Sequence, residues 1–316
     1  MAESIRLISV IIPTYNRKSS IMRAVKSVLN QKGHPYRFEV IVWDDGSTDN
    51  TVGLFKGREG LKAKDERIRF FRSPQNQGVN ATRNSGIRKS KGNYILFLDS
   101  DDIMTPDCFR IIRNHEERLC EVNFFGTRDM RTKRKMYHLD RTGKYSYKDW
   151  LSGKRISGEF VSFVPRNIFD QELFDETRFC FEGFFWNKII RRYGVFAVDV
   201  PVREYSFAED NRISKQLLVR KNALKRYSDY NAYIDEFGAE YLRFGLTLKY
   251  CDILRIAGVY AMLAGKKTEA QMLFRECLKR DDPFASVKTF LILGLSFLGV
   301  KTFTAAYALA MSMRRD

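Results

Sequence analysis

The sequence predicts an α/β protein with a mainly parallel sheet flanked by helices and a C-terminal helical region. Over the first 125 residues, apolar runs of strand length alternate with segments of helical periodicity. Strands joined by helical segments of about ten or more residues require parallel pairing and right-handed crossovers. From residue 216 onward the periodicity is helical throughout. We therefore expect an α/β domain over residues 1–215 and a helical region over residues 216–316.

The predicted strands occur in a regular order, each followed by a turn or a polar loop. They are Leu7–Ile12, Phe38–Trp43, Ile68–Phe71, Tyr94–Leu98 and Val122–Phe125. Helices are expected over Ile21–Leu29, from about Val79 to Lys91, and from Thr105, which would cap a helix with Pro106 at its first position. The carboxyl ends of the first, second and fourth strands then lie at one edge of the sheet.

Acidic residues stand at the carboxyl ends of two of these strands. Asp44 ends the second strand, and Asp99, Asp101 and Asp102 follow the fourth. Ligands of open α/β sheets bind at this edge. Crowded carboxylates repel one another unless a positive charge lies among them, and a hard divalent cation is a common solution. The alternative is a polar turn in which an aspartate caps the next helix.

The chemistry of this edge suits a nucleotide. A carboxylate at Asp44 can accept a hydrogen bond from the imide N–H of a nucleobase, and Arg83, near the start of the Val79 helix, offers forked donors to a base or phosphate. The sequence contains neither a phosphate-cradling G-x-x-x-x-G-K-[ST] loop nor G-x-G-x-x-G after the first strand. A nucleotide must therefore be held by side chains and a metal ion.

Composition indicates anionic partners. The net charge is +17, from 55 basic and 38 acidic residues, which favours phosphate-bearing molecules or a membrane surface. No nucleic-acid recognition module accompanies the charge, so we expect no nucleic-acid partner. Residues 128–155 hold ten basic and three acidic residues, a pattern typical of a solvated face or an acceptor-side insertion. The five scattered cysteines and the absence of a signal-peptide pattern favour a cytoplasmic protein.

Four segments together resemble the successive blocks of the family 2 glycosyltransferases. They are Val10–Asn16 (VIIPTYN), Val40–Asp49 (VIVWDDGSTD), Asn76–Gly86 (NQGVNATRNSG) and Leu98–Asp102 (LDSDD). The resemblance covers about residues 5–125 and implies the GT-A fold, the Rossmann-like fold of nucleotide-diphospho-sugar transferases. It also implies transfer of a sugar from a nucleotide-sugar donor, most often a UDP-sugar, with inversion and with help from Mg2+ or Mn2+.

The resemblance assigns a role to individual residues of the donor half, residues 1–125. The donor-binding residues it implies are Pro13, Thr14, Tyr15, Asp44, Arg83, Asp99, Ser100 and Asp102. Pro13 to Tyr15 and Asp44 would flank the nucleobase and ribose, and Arg83 would contact the nucleotide. Asp99 and Asp101 would be the metal-binding acids of the Asp-x-Asp motif, with Asp102 near the donor sugar.

The acceptor half, residues 126–215, resembles the family less closely. Phe174–Gly194 is similar to the family block in which a Glu-Asp pair opens a helix and the Asp is the general base. This chain has Glu182-Gly183 there, so Glu182 is the candidate base and Glu209 and Asp210 are reserves. The segment around Arg212 resembles a loop that closes over the donor diphosphate, which implies a phosphate contact for that arginine.

The C-terminal region contains an apolar stretch, Thr289–Met313, that is long enough to span a bilayer. Lys301 lies near its middle, where a charge is costly. A helix pair packed on the protein, or lying on an anionic membrane surface, fits this composition better than a spanning helix. We expect a protein that is peripheral on the cytoplasmic face of the membrane.

Two functions are compatible with these observations. The first is an inverting glycosyltransferase that adds a hexosyl or N-acetylhexosaminyl group to a glycan or lipid-diphosphate-linked acceptor in cell-surface polysaccharide synthesis. The second is a nucleotide-sugar-binding protein with impaired turnover, because Gly183 stands where the base is expected.

Overall fold

The computed structural model of the chain describes residues 7–57, 60–177, 182–207, 222–280, 283–300 and 302–303. The chain divides into two compact units, Met1–Asp210 and Asn211–Asp316. The domain boundary predicted at residue 215 lies outside the described ranges and stays a prediction.

Strands and helices alternate through the first unit. Its strands are β1 (Leu7–Thr14), β2 (Arg37–Asp44), β3 (Ile68–Arg72), β4 (Tyr94–Phe97), β5 (Ile103–Met104), β6 (Asn123–Asp129), β7 (Tyr137–Leu139), β8 (Gly143–Tyr145), β9 (Ile156–Gly158), β10 (Phe160–Pro165) and β11 (Val195–Tyr205). Its α-helices are α1 (Ile21–Leu29), α2 (Leu61–Lys64), α3 (Val79–Lys89), α4 (Cys108–Asn114), α5 (Tyr147–Ser152) and α6 (Glu182–Tyr193).

Nine of the described strands form one mixed sheet in the order β3-β2-β1-β4-β10-β6-β11-β5, with β8 paired to β11. The first four strands are parallel, because β1 pairs in parallel with β2 and β4, and β2 in parallel with β3. This confirms the predicted pairing and places the carboxyl ends of β1, β2 and β4 at one edge. β10 then runs antiparallel between β4 and β6.

The core forms because both faces of these central strands are apolar. Ile8, Val10 and Ile12 of β1 join the same buried cluster as the inner residues of α1. On the other face, α3 approaches β1 closely at Gly86, where a Cβ atom would lie 2.5 Å from Cγ2 of Ile11. Each fully buried Val or Ile side chain contributes about 1.5–3 kcal/mol to folding. This packing holds α3 against the sheet.

The helix predicted to begin at Thr105 and Pro106 begins later. Residue 107 occupies the N-cap position and α4 starts at Cys108, so the predicted cap is wrong. Thr105 instead donates its backbone N–H to the Val202 carbonyl oxygen, at 2.8 Å, immediately after β5. Oγ1 of Thr105 makes no hydrogen bond in the described part of the chain, so its hydroxyl caps no helix.

The second unit is helical in its described part, as predicted. Its helices are α7 (Ala223–Arg243), α8 (Thr247–Leu263), α9 (Lys267–Leu278) and α10 (Pro283–Phe297). Three residues separate α8 from α9, which pack closely because a Cβ at Gly258 would lie 2.3 Å from the Phe274 ring. Among the described helices, none combines the length and hydropathy needed to cross a bilayer.

Candidate functional site

The first part of the site is a pair of polar side chains at the ends of two neighbouring strands. Thr14 of β1 and Asp44 of β2 are register partners, and both are buried. Oδ2 of Asp44 accepts the Ser47 backbone N–H at 3.1 Å and lies 3.3 Å from Nε of Arg72. Within the described part of the chain, Oδ1 of Asp44 and Oγ1 of Thr14 make no hydrogen bond. Buried polar atoms of this kind cost free energy until a ligand or water satisfies them.

The two residues flanking Thr14 also lie at this edge. Pro13 is the penultimate residue of β1, and Tyr15 follows the strand with 42% of its surface exposed. The ring of Tyr15 is therefore available to a ligand, whereas the oxygens of Thr14 and Asp44 lie deeper. An exposed ring above buried polar oxygens suits a flat ligand with a polar edge.

Asp45 anchors α3 at the same edge. Its carboxylate oxygens accept the backbone N–H groups of Gln77 and Gly78, at 2.9 and 2.8 Å. Gly78 has φ +95°, a conformation that glycine adopts readily, and α3 begins at the next residue. Burial raises the pKa of the Asp45 carboxyl, and the two backbone donors oppose this increase.

Arg83 of α3 connects two acids across the site. The guanidinium is buried, with Nη2 3.2 Å from Oδ1 of Asp99 and Nη1 in close contact with Oε1 of Glu182. Its Cζ lies 5.8 Å from the ring centre of Phe97 and 5.6 Å from that of Phe174, within range for cation–π attraction. Arg83 is predicted to contact the nucleotide. In the structure its guanidinium contacts the carboxylates of Asp99 and Glu182.

The Asp cluster follows β4 as a tight turn, in which the Asp102 N–H donates to the Asp99 carbonyl oxygen at 3.1 Å. Ser100 and Asp102 are buried. Asp99 has 37% of its side chain exposed, and Oδ2 of Asp101 lies 3.7 Å from Nη2 of Arg17. The predicted convergence of Asp44, Arg83 and this cluster at one sheet edge is what the strand pairing produces.

Arg203 is a central residue of the site that the sequence analysis did not identify. Its Nη1 lies 3.4 Å from both Asp99 and Asp102, and its Nη2 lies 3.3 Å from Glu159. Nε donates to Oγ1 of Thr127 at 3.1 Å. Burial raises the pKa of the Asp102 carboxyl to about 7, and the Arg203 charge opposes this increase.

The position of Arg203 depends on two features of β11. The short strand β5 pairs antiparallel with β11 so that Met104 faces Arg203, which brings Arg203 next to the acids that precede β5. The register of β11 against β6 also shifts on both sides of Pro201. The charged pair Arg203-Glu204 within a strand-like run could have indicated a buried charge. Only the pairing of β5 with β11 shows which acids Arg203 contacts.

Glu182 opens α6 and lines a cleft next to the cluster. The cleft has a volume of about 320 Å³, and Asp99, Glu159, Gly183 and Arg203 also line it. The Glu182 side chain is 40% exposed. Asn84 positions the preceding segment, because its Oδ1 accepts the Phe174 N–H at 3.1 Å and its Nδ2 donates to the Phe174 carbonyl at 2.8 Å.

Three other predicted residues cannot be placed in this site. Glu209, Asp210 and Arg212 lie outside the described residues, so their predicted roles stay predictions. Across the described ranges, no group of three or more His, Cys, Asp or Glu side chains is arranged to hold a metal ion.

The sequence model of the family described as glycosyl transferase family 2 matches residues 9–189. The chain belongs to this family. The matched range runs from β1 into α6, and so contains the paired Thr14 and Asp44, the Asp cluster and Glu182. It ends before Arg203.

Several relatives align with most of this chain. A GalNAc(5)-diNAcBac-PP-undecaprenol β-1,3-glucosyltransferase of Campylobacter jejuni is 28% identical over 231 residues, 71% of each chain. The poly(ribitol-phosphate) β-N-acetylglucosaminyltransferase TarP of Staphylococcus aureus is 28% identical over 72% of this chain and 62% of its own length. An uncharacterized glycosyltransferase of Rickettsia conorii is 38% identical over 73% of this chain. This chain spans only 38% of that last protein.

The fold is shared with a solved family structure. Residues 1–349 of S. aureus TarS, crystallised with UDP-GlcNAc, superpose with a TM-score of 0.57 at 16% identity, covering 92% of this chain and 91% of TarS 1–349. This similarity confirms the predicted GT-A fold.

We expect Arg203→Met to destabilise the first unit by about 3–5 kcal/mol, because it leaves Asp99, Asp102 and Glu159 around an uncharged side chain. The measurement is urea unfolding followed by tryptophan fluorescence, since Trp43, Trp150 and Trp186 all lie in the first unit.

Arg128→Met is the matched control for Arg203→Met. Arg128 lies on the neighbouring strand β6 with 34% of its side chain exposed. Its partner Glu204 retains Lys133 at 2.8 Å, so the expected loss is below about 1 kcal/mol. Equal losses for the two variants would show that Arg203 is not the charge that holds the cluster together.

Proposed function

We propose that this family 2 glycosyltransferase transfers a sugar from a UDP-sugar to a glycan or lipid-diphosphate-linked acceptor, with inversion at the anomeric carbon. The observation that carries the proposal is the unsatisfied pair of oxygens on Thr14 and Asp44, at the same sheet edge as the Asp cluster. A nucleotide needs both features, one for its base and one for its diphosphate.

The base of the donor would bind at Asp44. Oδ1 of Asp44 is an acceptor without a partner in the described part of the chain, and uracil carries an imide N–H that can donate to it. Oγ1 of Thr14 lies on the adjacent strand and can accept or donate, and the exposed Tyr15 ring can cover the base or ribose. Crystals of TarS with UDP-GlcNAc and with UDP support UDP as the nucleotide.

A divalent cation fits the donor set at Asp99 and Asp101. Carboxylate oxygens suit Mg2+ and Mn2+, and Mg2+ is usually held by one or two carboxylates with substrate phosphates completing its shell. The oxygens of Asp99 lie 3.2 Å from Arg83 and 3.4 Å from Arg203, and Oδ2 of Asp101 lies 3.7 Å from Arg17, so a cation would share both acids with arginines. When bound, the cation would neutralise charge on the departing diphosphate.

Glu182 is the proposed general base. Its contact with Arg83 uses Oε1, which leaves Oε2 to accept the proton of an acceptor hydroxyl in the cleft. Attack of that hydroxyl oxygen on the anomeric carbon, opposite to the departing UDP, forms the new glycosidic bond with inversion. Arg83 orients Glu182, while Glu209 and Asp210 stay reserve candidates and Arg212 stays a proposed diphosphate contact.

The acceptor class follows from relatives. The Campylobacter relative is named for an undecaprenol-diphosphate-linked glycan and TarP for poly(ribitol-phosphate), so we infer a role in cell-surface polysaccharide synthesis. One observation favours the second function, a nucleotide-sugar-binding protein with impaired turnover. Gly183 lines the cleft at the position of the family's base and carries no side chain.

Turnover separates the two functions. With Mn2+, a UDP-sugar panel and a lipid-diphosphate-sugar acceptor, we expect UDP release above the rate of donor hydrolysis. Glu182→Gln preserves size but removes the base, so it should reduce transfer by about 10²–10⁴-fold without weakening UDP binding.

Glu172→Gln is the control. Glu172 pairs at 3.0 Å with Lys188 of α6, the helix that Glu182 opens, and does not line the cleft. UDP binding without release above hydrolysis would instead support the impaired binding protein. Unchanged transfer by Glu182→Gln would exclude Glu182 as the base.

We also propose that the second unit binds an anionic membrane surface at the cytoplasmic face. Leu291 and Phe297 of α10, and Leu298 after it, are exposed. Nζ of Lys267 lies 3.4 Å from the Phe297 carbonyl oxygen, which places an ammonium group beside this apolar surface. Apolar side chains flanked by cations are typical of interfacial binding.

Vesicle sedimentation tests the membrane proposal. The protein should sediment with phosphatidylglycerol-containing vesicles more than with phosphatidylcholine vesicles, and the double variant Leu291→Ser, Leu298→Ser should reduce the bound fraction. Leu224→Ser is the matched control, since Leu224 is an exposed leucine of α7. Binding that ignores lipid charge, or that survives the α10 substitutions, is the result that argues against this surface.

A further inference from the structure

The cleft beside Glu182 has an aromatic wall. Trp150, Phe160 and Trp186 are half-buried and line the cavity of about 320 Å³. Pockets that bind small molecules combine apolar and aromatic walls with a few polar groups. Here the polar groups are Glu159 and Glu182 with their arginine partners.

One buried ring holds the three half-buried rings in place. Phe124 stacks on Phe160 with centroids 5.6 Å apart and meets the edge of Trp186 at 5.3 Å. It also packs against Trp150 at 5.5 Å. Offset and edge-to-face contacts at these distances are favourable, so the wall is preorganised.

The indole of Trp150 is fixed by a second contact. Its Nε1–H donates to Oδ1 of Asn187 at 2.7 Å, and Asn187 is buried on α6. Because an indole has a single N–H donor, Trp150 offers the cleft an aromatic surface and no polar group. Such a surface suits the C–H face of a pyranose ring, whose hydroxyl groups project around its rim.

The charges of the cleft disfavour a phosphate. Three acids, Asp99, Glu159 and Glu182, line it with two arginines, Arg83 and Arg203. Both arginines already contact those acids. An incoming phosphodiester would therefore meet an excess of negative charge without an uncommitted cation in the cleft's described lining.

Glu159 supplies the polar contact that a sugar needs. Its side chain is 54% exposed, and Oε2 lies 3.3 Å from Nη2 of Arg203. The backbone fixes its position, since the Glu159 N–H donates to the Met136 carbonyl oxygen at 3.0 Å. A carboxylate held in this way can accept hydrogen bonds from sugar hydroxyls.

We propose that this cleft is the acceptor subsite and that it takes an uncharged pyranose ring stacked on the aromatic wall, with Glu159 accepting a hydroxyl hydrogen bond. The acceptor class is then a sugar-terminated chain, not a polyol phosphate. Glu159 and Trp150 determine acceptor specificity. The inference rests on the proposed function and adds the chemistry of the group that receives the sugar.

The test compares two acceptor probes with one donor. The UDP-sugar that binds most tightly is incubated with Mn2+ and either methyl β-pyranosides of glucose, galactose and their N-acetylamino derivatives, or ribitol 5-phosphate. We expect at least one pyranoside, and not ribitol 5-phosphate, to raise UDP release above hydrolysis. Calorimetry of UDP binding is measured in parallel on every variant.

Variants locate the probe in the cleft. Trp150→Leu and Glu159→Ala should each raise the KM for the active pyranoside at least about tenfold, while UDP affinity stays unchanged. Trp150→Phe keeps a ring and should lose less than Trp150→Leu. Phe71→Leu, which removes a half-buried ring outside the cleft, should leave the pyranoside KM unchanged.

The outcomes separate this inference from the function on which it rests. Failure of the wild-type protein to bind UDP overturns both. UDP binding together with stimulation by ribitol 5-phosphate alone, or by none of the pyranosides, overturns only the pyranose subsite. An unchanged pyranoside KM in both Trp150→Leu and Glu159→Ala, at intact UDP affinity, also overturns it.

Discussion

Two buried arginines make the acid-rich edge of this sheet possible. Asp99 and Asp102 follow β4, and Glu159, immediately before β10, and Glu182 of α6 add further carboxylates. Such a concentration of negative charge would oppose folding if it were not neutralised. Arg83 contacts Asp99 and Glu182, and Arg203 contacts Asp99, Asp102 and Glu159. The geometry of the whole site depends on these contacts.

The sharing of Asp99 between the arginines has a consequence for catalysis. Asp99 belongs to the proposed donor side and also lines the cleft where we place the acceptor, together with Glu159 and Glu182. Each arginine therefore connects an acid of the donor side to an acid of the acceptor side. A donor phosphate or cation at Asp99 would change the electrostatic environment of the proposed base Glu182, because the buried Arg83 guanidinium contacts both acids.

The sequence was sufficient to predict the features that depend on local pattern. The positions of the first four strands along the chain, their parallel pairing, and the positions of Asp44 and the Asp cluster follow from apolar runs and the polar turns that end them. Features set by long-range pairing were missed. The strand β10 inserted between β4 and β6, and the position of Arg203 opposite Met104, depend on registers that no local signal reports.

Other differences have the same origin. The helix predicted from Thr105 begins at Cys108 because Thr105 extends the pairing of β5 with β11 by one residue, while its Oγ1 makes no hydrogen bond in the described ranges. Trp150 lies in a basic segment whose composition indicated only a solvated face or an acceptor-side insertion, and its place in the cleft comes from its bond to Asn187. Arg83 was recognised as a site residue, but its contacts with two acids could be seen only once α3 and α6 were packed.

The most direct test of the central claim, that UDP binds at the edge formed by β1, β2 and β4, is a crystal structure of the protein with UDP and Mn2+. We predict density for uracil with its imide nitrogen about 2.7–3.2 Å from Oδ1 of Asp44. The diphosphate should lie beside Asp99 and Asp101. Uracil bound elsewhere, with the oxygens of Thr14 and Asp44 still unsatisfied, would contradict the account.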